Sequence, residues 1–243
     1  MLNQITQNLD RVKQRIADAA QRSGRQPESI RLIAVTKGVN VSQIQRIIAE
    51  GVTDIGENRI QEAQEKYNII NQCKENATQE KKINYNCEWH LIGHLQRNKV
   101  KSALEMFSLI HSVDSIRLYK EISNRSIDKE KPTRVLLQVN TTGEVSKFGI
   151  AVDELFGFVE NVHTYPNVEI CGLMTIGILS ASPEDNRSAF ELLMKLSETI
   201  EQQQFSGVNM QYLSMGMTND FEIAIEEGAN LVRIGTAIFG TAN

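Results

Sequence analysis

A chain of 243 residues with 41% hydrophobic and 23% charged residues is long enough for one α/β barrel and balanced for a single sizeable core. Its formal net charge of −4 gives no electrostatic reason to expect nucleic acid as a partner. Three cysteines, Cys73, Cys87 and Cys171, make neither an even disulfide framework nor a CxxC metal pair, so a cytoplasmic protein is the expectation.

The chain opens with Leu2, Ile5, Leu9, Val12 and Ile16 at steps of three and four, which predicts a docked helix over residues 1–23. Arg11, Lys13, Arg15, Arg22 and Arg25 gather there, but Asp10 and Asp18 interrupt them, and a solvated helix face accounts for the pattern. No apolar run is of signal-peptide type or long enough to span a bilayer, so no membrane role is expected.

Apolar runs of strand length follow near 31–36, 53–56, 88–92, 108–113, 134–139, 168–174, 211–214 and 230–234. Helix-length stretches lie between them. Val41, Ile44, Ile47 and Ile48 carry one buried face; Phe190, Leu193 and Ile200 carry another, after a start signal at Ser182-Pro183-Glu184-Asp185. Thr218 or Asn219 caps a later helix, and Gly228 ends it. Eight alternations predict parallel strands joined by crossover helices. The economical closure is a single (β/α)8 barrel over residues 1–243, with an open doubly wound sheet as the alternative. The stretch 71–87 is polar and aperiodic and reads as a surface excursion.

In such a barrel the chemistry lies at the carboxyl ends of the strands. The first strand ends in Lys37, an amine able to form a Schiff base with an aldehyde where burial or nearby cations lower its pKa. Ser214-Met215-Gly216-Met217-Thr218 follows the seventh strand and Gly235-Thr236 the eighth. Small residues let backbone N–H groups approach an anion, and the loops after strands seven and eight are the recurrent phosphate site of these barrels. Glu57 reads either as an orienting carboxylate or as a solvated one. His90 and His94 have the i, i+4 spacing of a helical zinc pair, but His90 falls within a strand, so no metal site is expected. Met174, Met215 and Met217 read as packing residues able to cover a flat ring.

Together these segments resemble the YggS/PROSC family, the pyridoxal 5′-phosphate (PLP) homeostasis proteins. The resemblance is carried by Ala34-Val35-Thr36-Lys37, Gly56-Glu57-Asn58-Arg59, the block from Trp89 through Gly93-His94 to Lys99, His111-Ser112-Val113-Asp114 and Gly172-Leu173-Met174-Thr175. Ser214-Met215-Gly216-Met217 with Asp220, and the run from Arg233 to Gly240, complete it. It implies a barrel similar to the N-terminal domain of alanine racemase, a fold-type III PLP protein. It also implies PLP as cofactor, held on Lys37 as a Schiff base, with the phosphate on Ser214, Gly216, Met217, Gly235 and Thr236. Asn58 and Met174 would lie against the ring, Met215 nearby, and Arg233 beside the pyridine nitrogen. Thr218 stands where the family often has Ser, and no proline follows Lys37.

The resemblance leads to the expectation of a monomeric carrier or buffer of PLP, without catalytic turnover, that passes it to apo-enzymes. The competing class is an amino-acid racemase of the same fold type. Racemases need a tyrosine from a second domain, and no such segment follows the eighth strand here. None of Tyr67, Tyr85, Tyr119, Tyr165 and Tyr212 falls at a strand's carboxyl end. An arginine at the pyridine nitrogen also weakens the ring as an electron sink. A Schiff-base aldolase would share the lysine and phosphate site but not the family segments.

Overall fold

The computed structural model describes residues 2–75, 85–144, 146–162, 165–178 and 182–240. After α1 (Leu2–Arg22), the elements are β1 (Arg31–Val35), α2 (Val41–Ala49), β2 (Asp54–Glu57), α3 (Ile60–Glu75), β3 (Glu88–Leu91), α4 (Val100–Met106) and β4 (Leu109–Val113). They continue as α5 (Ile116–Arg125), β5 (Thr133–Asn140), β6 (Ile150–Ala151), α6 (Leu155–Val162), β7 (Val168–Met174) and α7 (Arg187–Gln202). β8 (Val208–Ser214), α8 (Phe221–Glu226), β9 (Leu231–Ile234) and α9 (Thr236–Phe239) end the series.

The strand order is β4-β3-β2-β1-β9-β8-β7-β5, and a further pairing of β4 with β5 closes the ring. Every pairing is parallel. The closed barrel therefore replaces the open-sheet alternative. β6 was not legible beforehand: two residues pair with the upper end of β5, Val139 opposite Ile150, outside the barrel ring.

Two apolar clusters follow from the strand alternation. The outer one joins strands to helices and includes Ile44 and Ile47 of α2 and Phe190 and Leu193 of α7. The inner one fills the barrel with Ile33, Leu109, Leu136, Met174 and Leu231. Each fully buried side chain of this size contributes about 1.5–3 kcal/mol relative to exposure.

α1 packs on α2, α8 and α9 through Ile5, Leu9, Val12 and Ile16. Leu2, expected on the same stripe, is 43% exposed, because the stripe runs past the end of the surface it covers. The basic face is not merely solvated either. Arg15 pairs with Glu222 at 2.8 Å and Arg22 with Glu226 at 2.9 Å, so this face clips α1 to α8.

Two further expectations need correction. Residues 71–75 belong to α3 rather than to an excursion, and 76–84 lie outside the described residues. The residue at the N-cap of α8 is Asp220, not Thr218 or Asn219, which remain in the turn above it.

Candidate functional site

The turn after β1 is held from below. Lys66 of α3 is buried, and its Nζ donates to Thr36 O at 2.6 Å, Glu57 Oε1 at 2.7 Å and Glu62 Oε1 at 2.7 Å. Thr36 Oγ1 donates to Glu57 Oε1 at 2.5 Å, and Gly38 N donates to Glu62 Oε1 at 2.6 Å. Glu57 is therefore an orienting carboxylate, not a solvated one. Burial pushes its carboxyl above the usual range, against the lowering effect of Lys66 and Thr36. Both residues flanking Lys37 are pinned, while Lys37 itself is exposed. α2 starts immediately after this turn under an Asn40–Gln43 capping box.

A cavity of about 320 Å³ opens at the same end of the barrel. Ile92, Ile176 and Ile178 form apolar wall, and Asn58, Arg233, Met217, Gly235 and Thr236 supply polar atoms and backbone. That volume lies within the range of small-ligand sites. Asn58 is fixed by close approach of Gly93, where a Cβ would stand 2.3 Å from Asn58 O. Its buried Oδ1 has no hydrogen-bond partner among the described residues, leaving an acceptor for a ligand.

The turns after β8 and β9 are tied together at the rim. Thr236 Oγ1 donates to Thr218 Oγ1 at 3.1 Å, and Ala237 N donates to the same oxygen at 3.4 Å. Gly216 adopts φ +86°, and a Cβ there would stand 2.5 Å from Ala224 Cβ. Met217 N donates to Asp220 Oδ1 at 2.6 Å, and Asn186 Nδ2 donates to Asp220 Oδ2 at 2.8 Å. Asn186 Oδ1 in turn accepts from Ile178 N at 2.7 Å. The buried Asn186 thus staples the loop after β7 to the loop after β8.

Arg233 reaches the cavity from β9 and is almost fully buried. Nη2 donates to Thr175 O at 2.8 Å and Nη1 to Ser214 Oγ at 2.6 Å. Burial lowers its pKa to about 10, so it stays charged at neutral pH. Its fixed cation, the rim hydroxyls and the apolar wall suit a flat ring carrying an anionic group.

Asn58, Met217, Arg233, Gly235 and Thr236 are brought together at the cavity. Ser214 and Met215 are fully buried; Ser214 Oγ is engaged by Arg233 and His111. Met174 is fully buried in the inner cluster, and Gly216 shapes the turn from behind. Lys37 is not among the lining residues; it follows the wall residue Val35 by two positions in the chain. His90 and His94 are separated. His90 lies inside the barrel, whereas His94 is exposed, stacks on Phe148 and faces Asp114 at 3.4 Å. Sequence reasoning missed Lys66, Ile178 and Asn186, whose roles depend on partners in other elements.

The family described as alanine racemase, N-terminal domain, matches residues 7–243. A pyridoxal phosphate homeostasis protein of Aquifex aeolicus (strain VF5) is 38% identical over 234 residues, covering 96% of each chain. The chain belongs to this family.

Solved structures agree. A Bifidobacterium adolescentis protein superposes with a TM-score of 0.89 at 38% identity, covering 98% of this chain and 95% of that one. PipY of Synechococcus elongatus PCC7942, solved with PLP bound, gives a TM-score of 0.77 at 31% identity, covering 93% of this chain and all of PipY.

Proposed function

We propose that this chain binds PLP at the carboxyl-end mouth of the barrel and holds it as a carrier or buffer in PLP homeostasis, without turning over amino acids. The observation that carries the reading is the placement of a pinned, exposed lysine turn beside a cavity containing the buried Arg233 cation and a rim of threonine hydroxyls. The relatives named for PLP homeostasis and the PLP bound to PipY support it.

The residues present fit the cofactor. Lys37 is the covalent partner, because Thr36 and Gly38 fix its backbone and leave its amine free to reach the mouth. Thr218, Thr236 and the backbone at Gly216, Met217 and Gly235 would hold the phosphate. Asn58 offers its unpartnered Oδ1, and Met217 lines the ring site. Arg233 would stand by the pyridine nitrogen, where a permanent cation disfavours a proton. When bound, PLP supplies an aldehyde that condenses reversibly with amines.

That placement of Arg233 argues against turnover, since an unprotonated pyridine nitrogen withdraws electrons weakly. No tyrosine lines the cavity among the described residues. Tyr212, in β8, is held at its hydroxyl by Arg31 at 3.1 Å and Arg134 at 3.2 Å. The chain acts in the cytoplasm as a monomer, and its clients are apo-enzymes that accept PLP.

The test is solvent deuterium incorporation at Cα of alanine and other amino acids by the PLP-loaded protein. The proposal expects no catalytic exchange, together with transfer of PLP to an apo-enzyme. Exchange at about 1 s⁻¹ or faster would make the protein an enzyme.

A further inference from the structure

A continuous polar chain crosses the otherwise apolar barrel interior. Asp54, at the start of β2, has Oδ1 2.9 Å from His90 Nε2. His90 Nδ1 lies 3.0 Å from His111 Nε2, and His111 Nδ1 lies 2.9 Å from Ser214 Oγ. Arg233 Nη1 closes the series on Ser214 at 2.6 Å. All five residues are buried.

We infer that these side chains form a proton-ordered strut that sets the orientation of Arg233 and withholds the Ser214 proton from the cavity, making Asp54, His90 and His111 positioning residues for a site at the opposite end of the barrel. Its consequence for the cofactor rests on the PLP reading above; the strut itself does not.

The direction follows from the two ends. An ionised carboxylate can only accept, and a guanidinium can only donate. Asp54 Oδ1 therefore accepts a hydrogen bond from the N–H at His90 Nε2. A neutral imidazole has one N–H, so His90 Nδ1 accepts from His111 Nε2. His111 Nδ1 then accepts the Ser214 hydroxyl proton, and Ser214 Oγ accepts from Arg233. Four links use four protons, with every donor meeting an acceptor. Ser214 has no proton left for a phosphate.

A protonated His90 would reverse the two middle links and free the Ser214 proton. The cations Arg31 and Arg233 oppose that state, whereas the Asp54 and Glu88 carboxylates favour it. Arg31 pairs with Asp54 and with Glu88, 3.0 Å away, at the lower mouth. Glu88 is half exposed and 4.0 Å from His90, and Arg233 is charged at the upper end. Burial first, then the Arg233 and Arg31 charges, hold His111 well below the usual histidine range. Asp54, His90 and Glu88 also fall within metal-binding reach of one another, but the Arg31 guanidinium bonds both carboxylates there.

Long-range proton–nitrogen NMR of histidine-labelled protein without ligand tests the order. His90 and His111 should both be neutral Nε2–H tautomers. A doubly protonated His90, or a proton on His111 Nδ1, would overturn the proposal. A second arm uses Ser214→Ala with Ser214→Thr as the conservative variant, titrated with PLP and with pyridoxal, which lacks the phosphate. Ser214→Ala should weaken both about tenfold or more through a misplaced Arg233, and Ser214→Thr should restore both. A loss confined to PLP would make Ser214 a phosphate ligand and defeat the strut. If wild type binds neither compound, the PLP reading fails while the tautomer measurement still decides the strut.

Discussion

Glu57 Oε1 and Lys66 Nζ stand 2.7 Å apart in a pair buried beneath the turn that carries Lys37. Such a pair contributes little net stability over an apolar replacement, but removing one partner leaves a buried charge. Here the pair also bonds Thr36 through its hydroxyl and its carbonyl, so it positions the turn as well as filling space.

Lys66→Met should therefore cost about 3–5 kcal/mol in urea denaturation, because Glu57 loses its cation. The same variant should bind PLP more weakly, since Thr36 O and Glu62 lose their shared donor. A variant of wild-type stability would show that the pair is not the clamp described.

The strand pattern was legible because a parallel barrel buries both faces of its strands, leaving near-continuous apolar runs such as Leu32-Ile33-Ala34-Val35. The turns after β8 and β9 were legible because glycine and threonine break the apolar pattern there, and Thr236 bonds Thr218 across them. The strut was not. His90 pairs with residues 36 and 21 positions away, and His111 with one 103 away, so only barrel closure brings them together. Local spacing directed attention to His94 instead, which faces a different side.

Gly216→Ala should be destabilising on two counts, a left-handed backbone and a Cβ 2.5 Å from Ala224 Cβ. Overpacking alone costs about 1–3 kcal/mol. A denaturation midpoint equal to wild type would mean that the turn after β8 relaxes freely.

The docking of α1 separates packing from charge. Leu9→Ala, at a fully buried position, should cost about 2–5 kcal/mol. Arg15→Ala breaks the largely exposed pair with Glu222 and should cost about 1 kcal/mol or less. The order of the two unfolding free energies checks the assignment.

Asp54 predicts a pH dependence. Burial tends to raise its pKa, but hydrogen bonds from His90 and Thr53 and the charge of Arg31 bring it below the usual 3.8. A carboxyl depressed by folding stabilises above its unfolded value, and that contribution is lost as pH falls through the folded value. Asp54→Asn should thus lose less stability than wild type as pH drops below 3.8. Parallel acid denaturation curves would remove Asp54 from the acid response.

Thr236→Ala removes a rim hydroxyl bonded to Thr218. Loss of one hydrogen bond to a charged group should cost about 1.5–3 kcal/mol, or roughly ten- to a hundredfold in PLP affinity, with a smaller effect on pyridoxal. Equal affinity for PLP in the variant would place the phosphate elsewhere.

Borohydride reduction of the PLP-loaded protein, followed by peptide mapping, shows which lysine carries the cofactor. One pyridoxyl adduct is expected, on Lys37, and none in Lys37→Ala, which should remain folded because the side chain is exposed. An adduct found mainly on Lys66, Lys99 or Lys147 would contradict the assignment.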